Sequence, residues 1–210
     1  MDNDTLLKVY VSALPHKTVG KALYPKERQD YVDRIKNQKQ KQEAYFAWRL
    51  LEYAISKELN VDFNSLNFEI AKNGKWSCDA CDFSISHGDG IVAVAIAKGS
   101  VGVDIEKIDS PKSNSFAART LTEREFSEYT ALDESRKNYY LIEKWTQKEA
   151  IFKSLNQPAF VPSEIDTSLF NTFTQKIGFS NGAEYYLSVS AVGQSAPIIE
   201  DVSKKTNNIF

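Results

Sequence analysis

Val101-Gly102-Val103-Asp104-Ile105-Glu106 is the stretch on which the reading of this chain turns. Val101, Val103 and Ile105 alternate with Gly102, Asp104 and Glu106, the two-residue period of a strand with one apolar and one polar face. On such a strand Asp104 and Glu106 project from the same face, about 7 Å apart at ~3.3 Å per residue. Carboxylates that close repel unless something positive lies between them. A basic side chain can serve, and so can a hard cation such as Mg²⁺, which prefers carboxylate oxygen and keeps substrate phosphates among its ligands. A second stretch, Trp145-Thr146-Gln147-Lys148-Glu149-Ala150-Ile151-Phe152-Lys153, reads as a helix on which Glu149 and Lys153 face the same way. If that helix crosses the strand, Glu149 becomes a third carboxylate at the cation, and Lys153 lies one turn away to meet a phosphate. Each segment alone has a plainer reading: a solvated edge strand, and a surface ion pair worth only ~0.3–0.5 kcal/mol. Together they point to phosphate chemistry.

Upstream, Leu6–Leu14 is β-branched and alternating, and Pro15 closes it, so a first strand is expected. Pro25 suits a first helical turn. Lys26–Lys41 carries Lys26, Arg28, Arg34, Lys36, Lys39 and Lys41 against Glu27, Asp30 and Asp33. Most of that charge reads as a solvated helix face, with one or two cations left to reach phosphates. Glu43–Leu59 is an amphipathic helix with Phe46, Leu50, Tyr53 and Ala54 on a core-facing stripe. Asn67–Ala71 reads as a short strand, and Asn73-Gly74 as a turn that delivers Lys75. Asp82–His87 alternates, with Phe83 and Ile85 on one face and Ser84 and Ser86 on the other. His87 then meets the Gly88-Asp89-Gly90 turn. A lone histidine is more often structural, but beside phosphates it can be a charged donor. Ile91–Ala97 is almost wholly apolar, a buried strand. Gly99-Ser100 turns the chain into the carboxylate strand, so these three strands are expected to form a meander.

Downstream, Asp109–Ser115 reads as a polar loop, and Thr122 with Glu125 makes a capping box that opens a helix. A longer helix is expected from Asp133 or Ser135 to about Leu155, with Tyr139, Ile142, Trp145 and Phe152 near one face. Pro158 and Pro162 break it. Strands follow at Ser168–Phe173, Gln175–Phe179 and Glu184–Val192, with Asn181-Gly182 as a hairpin turn and a polar, frayed tail from Gly193. The order helix-then-strands thus occurs twice, over residues 25–108 and 120–192. That hints at an α+β chain of two similar α/β halves, 1–108 and 109–210.

The chain has 210 residues, 42% hydrophobic and 26% charged, enough to bury a core without disulfides or metal staples. A formal charge of −2 argues against a general nucleic-acid binder. No apolar run approaches the ~20 residues needed to span a bilayer. Met1-Asp2-Asn3-Asp4 lacks the basic start of a signal peptide, so a cytoplasmic location is expected. Cys78 and Cys81 form a single CxxC that could be half a zinc site or a redox pair. With no second CxxC, and with His16 and His87 at no metal-ligand spacing, they read as two loop thiols.

The combination resembles the 4'-phosphopantetheinyl transferases of the surfactin-synthetase-activating type. That family has a glycine-x-aspartate-x-glutamate strand and, some forty residues on, a tryptophan-x-x-lysine-glutamate-alanine/serine-x-x-lysine helix. Gly102-Val103-Asp104-Ile105-Glu106 and Trp145–Lys153 match both. Gly74-Lys75 and Ser86-His87 match a further Gly-Lys-Pro and Ser-His pair, with Trp76 in place of the proline. The resemblance spans roughly residues 5 to 190.

It implies a monomeric pseudo-dimer of two α/β halves with the active site in the cleft between them. It also implies transfer of the phosphopantetheine arm of coenzyme A to a serine of an acyl or peptidyl carrier protein, releasing adenosine 3',5'-bisphosphate. By the same resemblance Asp104, Glu106 and Glu149 hold Mg²⁺, and Lys153 contacts the attacked phosphate. Glu149 helps deprotonate the carrier serine, while Lys75, Ser86 and His87 lie on the coenzyme A side. Many relatives have an arginine just before the first long helix; here the stretch reads Gln38-Lys39-Gln40-Lys41-Gln42, so Lys39 or Lys41 is expected to substitute. The Pro25-x-x-Arg28 start is family-like and brings Arg28 toward the nucleotide. Residues 107–130 are the expected carrier face. The length argues against the small trimeric synthase type. A non-catalytic relative that binds coenzyme A or a carrier, and an unrelated Mg²⁺-dependent phosphohydrolase, are the alternatives; no Gly-rich phosphate loop supports the latter.

Overall fold

The apolar side of the carboxylate strand decides the layering. The computed structural model describes residues 6–15, 25–71, 74–109, 112–180, 182–193 and 196–205. In chain order the elements are β1 (Leu7–Ala13), α1 (Lys26–Arg34), α2 (Gln38–Leu59), β2 (Phe68–Ile70), β3 (Trp76–Cys78), β4 (Asp82–Gly88), β5 (Ile91–Ala97), β6 (Val101–Lys107), α3 (Asn114–Thr120), α4 (Glu123–Thr130), α5 (Glu134–Leu155), β7 (Thr172–Gly178), β8 (Glu184–Ala191) and β9 (Ile198–Asp201). Val101, Val103 and Ile105 of β6 pack with Tyr185, Leu187 and Val189 of β8 onto the small side chains Ala93, Ala95 and Ala97 of β5 and onto Val9 and Val11 of β1. The other face of β5, Val92, Val94 and Ile96, meets Phe46, Leu50, Leu51 and Ile55 of α2. Each such side chain contributes about 1.5–3 kcal/mol on burial. The polar face of β6 is covered by α5. The result is an α+β sandwich: α2, the sheet β4-β5-β1-β9, the sheet β6-β8-β7, and α5.

Two expectations change here. The meander stops at β5: β4 and β5 pair, but β6 leaves to pair antiparallel with β8. The alanine face of β5 leaves room for a second sheet to stack on it, so β6 buries its valines face-on instead of edge-on. The tail after Gly193 is not all frayed either. β9 lies parallel to β1, and Val202, 0% exposed, joins the core beside α2. As a result β6 and β9 each sit in a sheet made mostly by strands from the other end of the chain.

The edge of β6 away from β8 has no strand partner among the described residues, and side chains complete it. Val101, Val103 and Ile105 donate their backbone N–H groups to Asp82 Oδ2 (3.1 Å), Ser84 Oγ (3.0 Å) and Ser86 Oγ (3.3 Å) of β4. The carbonyls of Val101 and Val103 accept from Lys75 Nζ (3.3 Å) and Lys153 Nζ (3.2 Å). The alternation of β4 therefore has two uses: Phe83 and Ile85 feed the α2 core, and Asp82, Ser84 and Ser86 supply the acceptors that a buried strand edge requires.

Other boundaries follow local chemistry. The basic stretch 26–41 is split between two helices, because α1 stops at Arg34 and Asn37 caps α2, accepting from Gln40 N at 3.1 Å. The Thr122–Glu125 capping box forms as read. β3 and α3 were not anticipated, and the two strands expected over 168–179 are one strand, β7. Asn73 and Asn181 lie outside the described residues; their neighbours Gly74 and Gly182 have φ of +85° and +78°, as turns there require. Of the α5 residues read near one face, Ile142 is buried and Tyr139 is 42% exposed. Thr146, Gln147 and Ser154 are buried as well and face the polar back of the second sheet, where Ser154 Oγ meets Ser190 Oγ at 3.0 Å and Gln147 Nε2 donates to Thr174 Oγ1 at 3.2 Å. No helix among the described residues is long and apolar enough to cross a membrane.

Candidate active site

Glycine at position 102 sets the distance between β6 and α5. A Cβ there would stand 1.9 Å from the Ala150 carbonyl oxygen and 2.6 Å from Ser154 N, both backbone atoms. The bare Cα lets the helix lie directly on the strand, one turn of α5 from Glu149 to Lys153 passing over Asp104. Ser100 Oγ donates to the Ser154 carbonyl and tightens the same contact.

This contact floors a cleft of about 460 Å³. Asp104 is 3% exposed. Its Oδ1 accepts from Lys153 Nζ at 2.7 Å and from Ser86 Oγ at 2.8 Å. Its Oδ2 is buried with no hydrogen-bond partner among the described residues. Glu106 accepts from the Trp145 indole N–H at 3.1 Å. Burial, then the neighbouring charges of Asp104 and Glu149, push the Glu106 carboxyl up to about 7. Burial also raises Glu149, against the pull of Lys153 at 3.7 Å. For Lys153 burial acts downward, but Asp104 and Glu149 outweigh it and hold the ammonium above the usual lysine range. Three carboxylates thus share one ammonium in a poorly hydrated cleft.

Among the described residues, no three His, Cys, Asp or Glu side chains stand close enough to hold a metal ion as they are placed. The ammonium of Lys153 draws Asp104 Oδ1, and the Trp145 indole draws Glu106. The donor set nevertheless suits a hard cation: all its atoms are carboxylate oxygens, Asp104 Oδ2 is buried without a donor among the described residues, and burial together with the charges of Asp104 and Glu149 makes Glu106 resist ionisation.

The facing wall carries the cations expected there. Lys75 lines the cleft, 3.1 Å from Asp82 Oδ2, and so serves the β6 edge as well. Arg28 lines it from α1, its Nη2 donating to the Ala44 carbonyl at 3.2 Å and its guanidinium over the Trp48 and Tyr31 rings at 5.4 and 5.2 Å. Ser86 and His87 line it from the end of β4. His87 also lines an adjoining cavity of about 530 Å³, together with Lys39. Lys41 is placed elsewhere, 3.5 Å from Asp33 Oδ1 on α1, and lines neither space.

Sequence reasoning missed two groups here. Glu43, 3% exposed, accepts from Gly90 N at 2.7 Å and lies 3.8 Å from His87 Nδ1. Its signal was available: it falls three and seven residues before Phe46 and Leu50 on the apolar stripe of α2, where a carboxylate needs a reason. The second is Lys148, fully buried and 2.6 Å from the equally buried Glu125. Lys148 also donates to the carbonyls of Pro162 (2.9 Å) and Ile165 (2.5 Å), while Glu125 accepts from Thr122 N, Thr167 N and Thr167 Oγ1. The helix motif's own lysine is thus an anchor that ties α4 and the 162–167 segment to α5.

Fold and cleft define a class: an α+β protein that brings carboxylates and lysines from two layers onto one cleft of about 460 Å³. Residues 100–192 match the family model of the 4'-phosphopantetheinyl transferase superfamily. The chain is similar to the 4'-phosphopantetheinyl transferase Sfp of Bacillus subtilis (strain 168), 30% identical over 117 residues, covering 54% of this chain and 51% of that protein. It is similar to the 4'-phosphopantetheinyl transferase gsp of Aneurinibacillus migulanus, 28% identical over 138 residues, covering 65% and 58%. A holo-[acyl-carrier-protein] synthase of Mycoplasmoides gallisepticum is 44% identical over 59 residues, 26% of this chain and 53% of that one. The chain spans between half and three fifths of the length of these curated relatives. The matched segment contains β6 and α5, the two elements that carry Asp104, Glu106, Glu149 and Lys153.

Proposed function

We propose that this chain transfers the 4'-phosphopantetheine arm of coenzyme A to a serine hydroxyl of an apo acyl or peptidyl carrier protein, releasing adenosine 3',5'-bisphosphate. One observation carries the reading: Asp104, Glu106, Glu149 and Lys153 converge on the same cleft as Lys75, His87 and Arg28. Acid groups on one wall and cations on the other suit a diphosphate joined to a nucleotide. The similarity to transferases over residues 100–192 supports the same assignment.

Asp104, Glu106 and Glu149 would hold Mg²⁺. Bound there, a hard divalent cation offsets charge that grows on the diphosphate oxygens during transfer. Lys153 supplies a fixed positive charge beside the attacked phosphorus, at an atom already oriented by Asp104 and the Val103 carbonyl. Glu149 accepts the serine proton; burial raises its carboxyl, which makes the carboxylate a stronger base than an exposed glutamate. Lys75, His87 and Arg28 bind and orient the nucleotide phosphates, and Lys39 extends that wall through the adjoining cavity. Trp48, Trp76 and Phe152 line the cleft and exclude water from it. The carrier would approach over residues 107–130, which lead from β6 into α3 and α4.

We read the architecture as two similar halves, 1–108 and 109–210. Supporting this, α2 and α5 are each 22 residues long, each covers the outer face of a sheet, and each ends in a left-handed asparagine, Asn60 at φ 54° and Asn156 at φ 53°. The test is to incubate the protein with coenzyme A, Mg²⁺ and an apo carrier domain and weigh the carrier. A gain equal to the phosphopantetheine arm, lost when Mg²⁺ is chelated, is expected. Release of free phosphate without a mass gain would assign a hydrolase instead.

A further inference from the structure

The two cysteines lie apart from the chemistry proposed above, yet they are not two independent thiols. Cys78 ends β3 and Cys81 directly precedes β4, with Asp79 and Ala80 forming the bend between them. Their sulfurs are 4.0 Å apart, and the Cys78 thiol also lies 3.3 Å from the Cys81 carbonyl. Both are free thiols in this structure. The bend is held on its far side, where Asn67 donates its backbone N–H (3.3 Å) and its side-chain amide (2.8 Å) to the Asp79 carboxylate. Sulfurs at this separation need to close by only about 2 Å to reach bonding distance.

We propose that Cys78 and Cys81 form a redox-active dithiol that is oxidised to a disulfide by small-molecule disulfides of the glutathione type, with Cys78 as the attacking and Cys81 as the resolving sulfur. The assignment of roles follows from exposure and surroundings. Cys78 is half-buried, whereas Cys81 is buried against the core beneath α2. The Cys81 S–H and the backbone N–H groups of Ala80 and Cys81 all face the Cys78 sulfur and stabilise its thiolate, which holds that thiol down at about 6. The Cys78 sulfur and burial push the Cys81 thiol upward. A thiolate poised near neutrality beside a protonated neighbour is the arrangement that thiol–disulfide exchange needs.

The chemistry balances in two steps. The Cys78 thiolate attacks one sulfur of the small disulfide, whose S–S bond breaks and releases a thiolate that takes up a proton. Cys81 then gives up its proton as its sulfur attacks Cys78 Sγ; the mixed disulfide breaks and the second small thiol leaves. The protein loses two electrons and two protons, and the oxidant gains them. The strand that carries Cys78 also carries Trp76, which lines the cleft and packs on Trp48 at a ring separation of 5.5 Å.

The full-length protein would be equilibrated in reduced and oxidised glutathione at fixed pH, quenched with acid, alkylated and weighed. In excess oxidised glutathione the expected product has lost two hydrogen atoms and takes up no alkylating agent. Cys81→Ser should retain one glutathione on Cys78, and Cys78→Ser should leave Cys81 free for alkylation. Two alkylatable thiols in the oxidised wild type, a mixed disulfide that fails to resolve, or faster glutathionylation at Cys81 in Cys78→Ser than at Cys78 in Cys81→Ser would each overturn the proposal. None of these readouts uses coenzyme A or a carrier, so the result is independent of the proposed transfer.

Discussion

The ammonium of Lys153 on α5 lies 2.7 Å from Asp104 Oδ1 on β6, and the Ser86 hydroxyl donates to the same oxygen. Three elements therefore meet on one carboxylate oxygen, while its other oxygen is left without a donor among the described residues. Removing the charge of Asp104 should remove cation binding and release Lys153 at once. Asp104→Asn is expected to lower transfer at least about 100-fold, the scale lost when one electrostatic contact to a transition state is removed. Lys153→Ala should lower kcat by a similar factor while coenzyme A affinity changes far less. Isothermal titration with coenzyme A, beside steady-state rates, separates the two; an Asp104→Asn enzyme with wild-type rates would refute the role given to the carboxylate.

The glycine of the carboxylate motif carries a structural prediction. Because a Cβ at Gly102 would stand 1.9 Å from a backbone oxygen of α5, no side-chain adjustment can absorb Gly102→Ala. The helix must shift, carrying Glu149 and Lys153 off Asp104. Overpacking of this kind typically costs ~1–3 kcal/mol, occasionally more. Denaturant unfolding should show a loss at or above that range, and the folded fraction should still transfer poorly. A variant that retains both stability and activity would mean that α5 approaches β6 less closely than described.

The β4 acceptors predict a different failure. Ser84 Oγ takes the N–H of Val103 at 3.0 Å, and both groups are buried. Ser84→Ala keeps the shape of the strand but leaves that N–H without a partner, at a cost of about 1–3 kcal/mol. Ser84→Thr restores an acceptor and should recover part of it. Equal stability of Ser84→Ala and wild type in urea titrations would count against the side-chain completion of the β6 edge.

What could be read in advance divides along a physical line. β6 and α2 were legible because each repeats its own period over a whole element, β5 because it is an unbroken apolar run, and the Gly-x-Asp-x-Glu and Trp-x-x-Lys-Glu-Ala-x-x-Lys spacings placed Asp104, Glu106, Glu149 and Lys153 on facing elements. Which strand β6 would pair with was not legible, since pairing with β8 is decided by the alanine face of β5, some ten residues earlier, and not by β6 itself. β9 is four residues in a polar stretch, too short to show a period, and exists because β1 offers it an edge. The buried face of α5 was only partly legible because Gln147 and Ser154 meet Thr174 of β7 and Ser190 of β8, so polar residues point inward beside Leu141, Ile142, Ala150 and Ile151.

Glu43 offers a test of the proposed nucleotide wall. Burial raises its carboxyl, but His87, the Gly90 N–H and Lys39 outweigh that and hold it below the usual range, so it is a charged group beneath the imidazole. Glu43→Gln keeps an oxygen for Gly90 and removes the charge that faces His87. Coenzyme A affinity should fall about 3- to 10-fold, on the scale of a single charge-assisted contact, with little change in kcat. His87→Asn should show a similar loss, and the double variant should be no weaker than His87→Asn alone, because contacting residues are not additive. Additive losses in a titration with coenzyme A would separate the two side chains.

The buried Glu125–Lys148 pair predicts how the protein responds to acid. Burial pushes the Glu125 carboxyl upward, but Lys148, the Thr122 N–H and Thr167 outweigh it and hold it below the usual carboxylate range. A carboxyl depressed by folding stabilises the native state above its unfolded pKa, about 4.3, and that stabilisation is lost as pH falls through the folded value. Wild type should therefore lose stability below about pH 5 more steeply than Glu125→Gln, which has no proton to take up. Lys148→Ala leaves Glu125 as an uncompensated charge at 0% exposure and should cost about 3–5 kcal/mol at pH 7. Glu125→Gln with Lys148→Met removes both charges and keeps an acceptor for Thr122 and Thr167, so its cost should fall below the sum of the singles. Urea unfolding at several pH values measures all three, and parallel pH slopes for wild type and Glu125→Gln would show that the carboxylate is not what acid attacks. Because Lys148 lies on the same helix as Glu149 and Lys153, loosening this anchor should also slow transfer in Lys148→Ala under conditions where the protein remains folded.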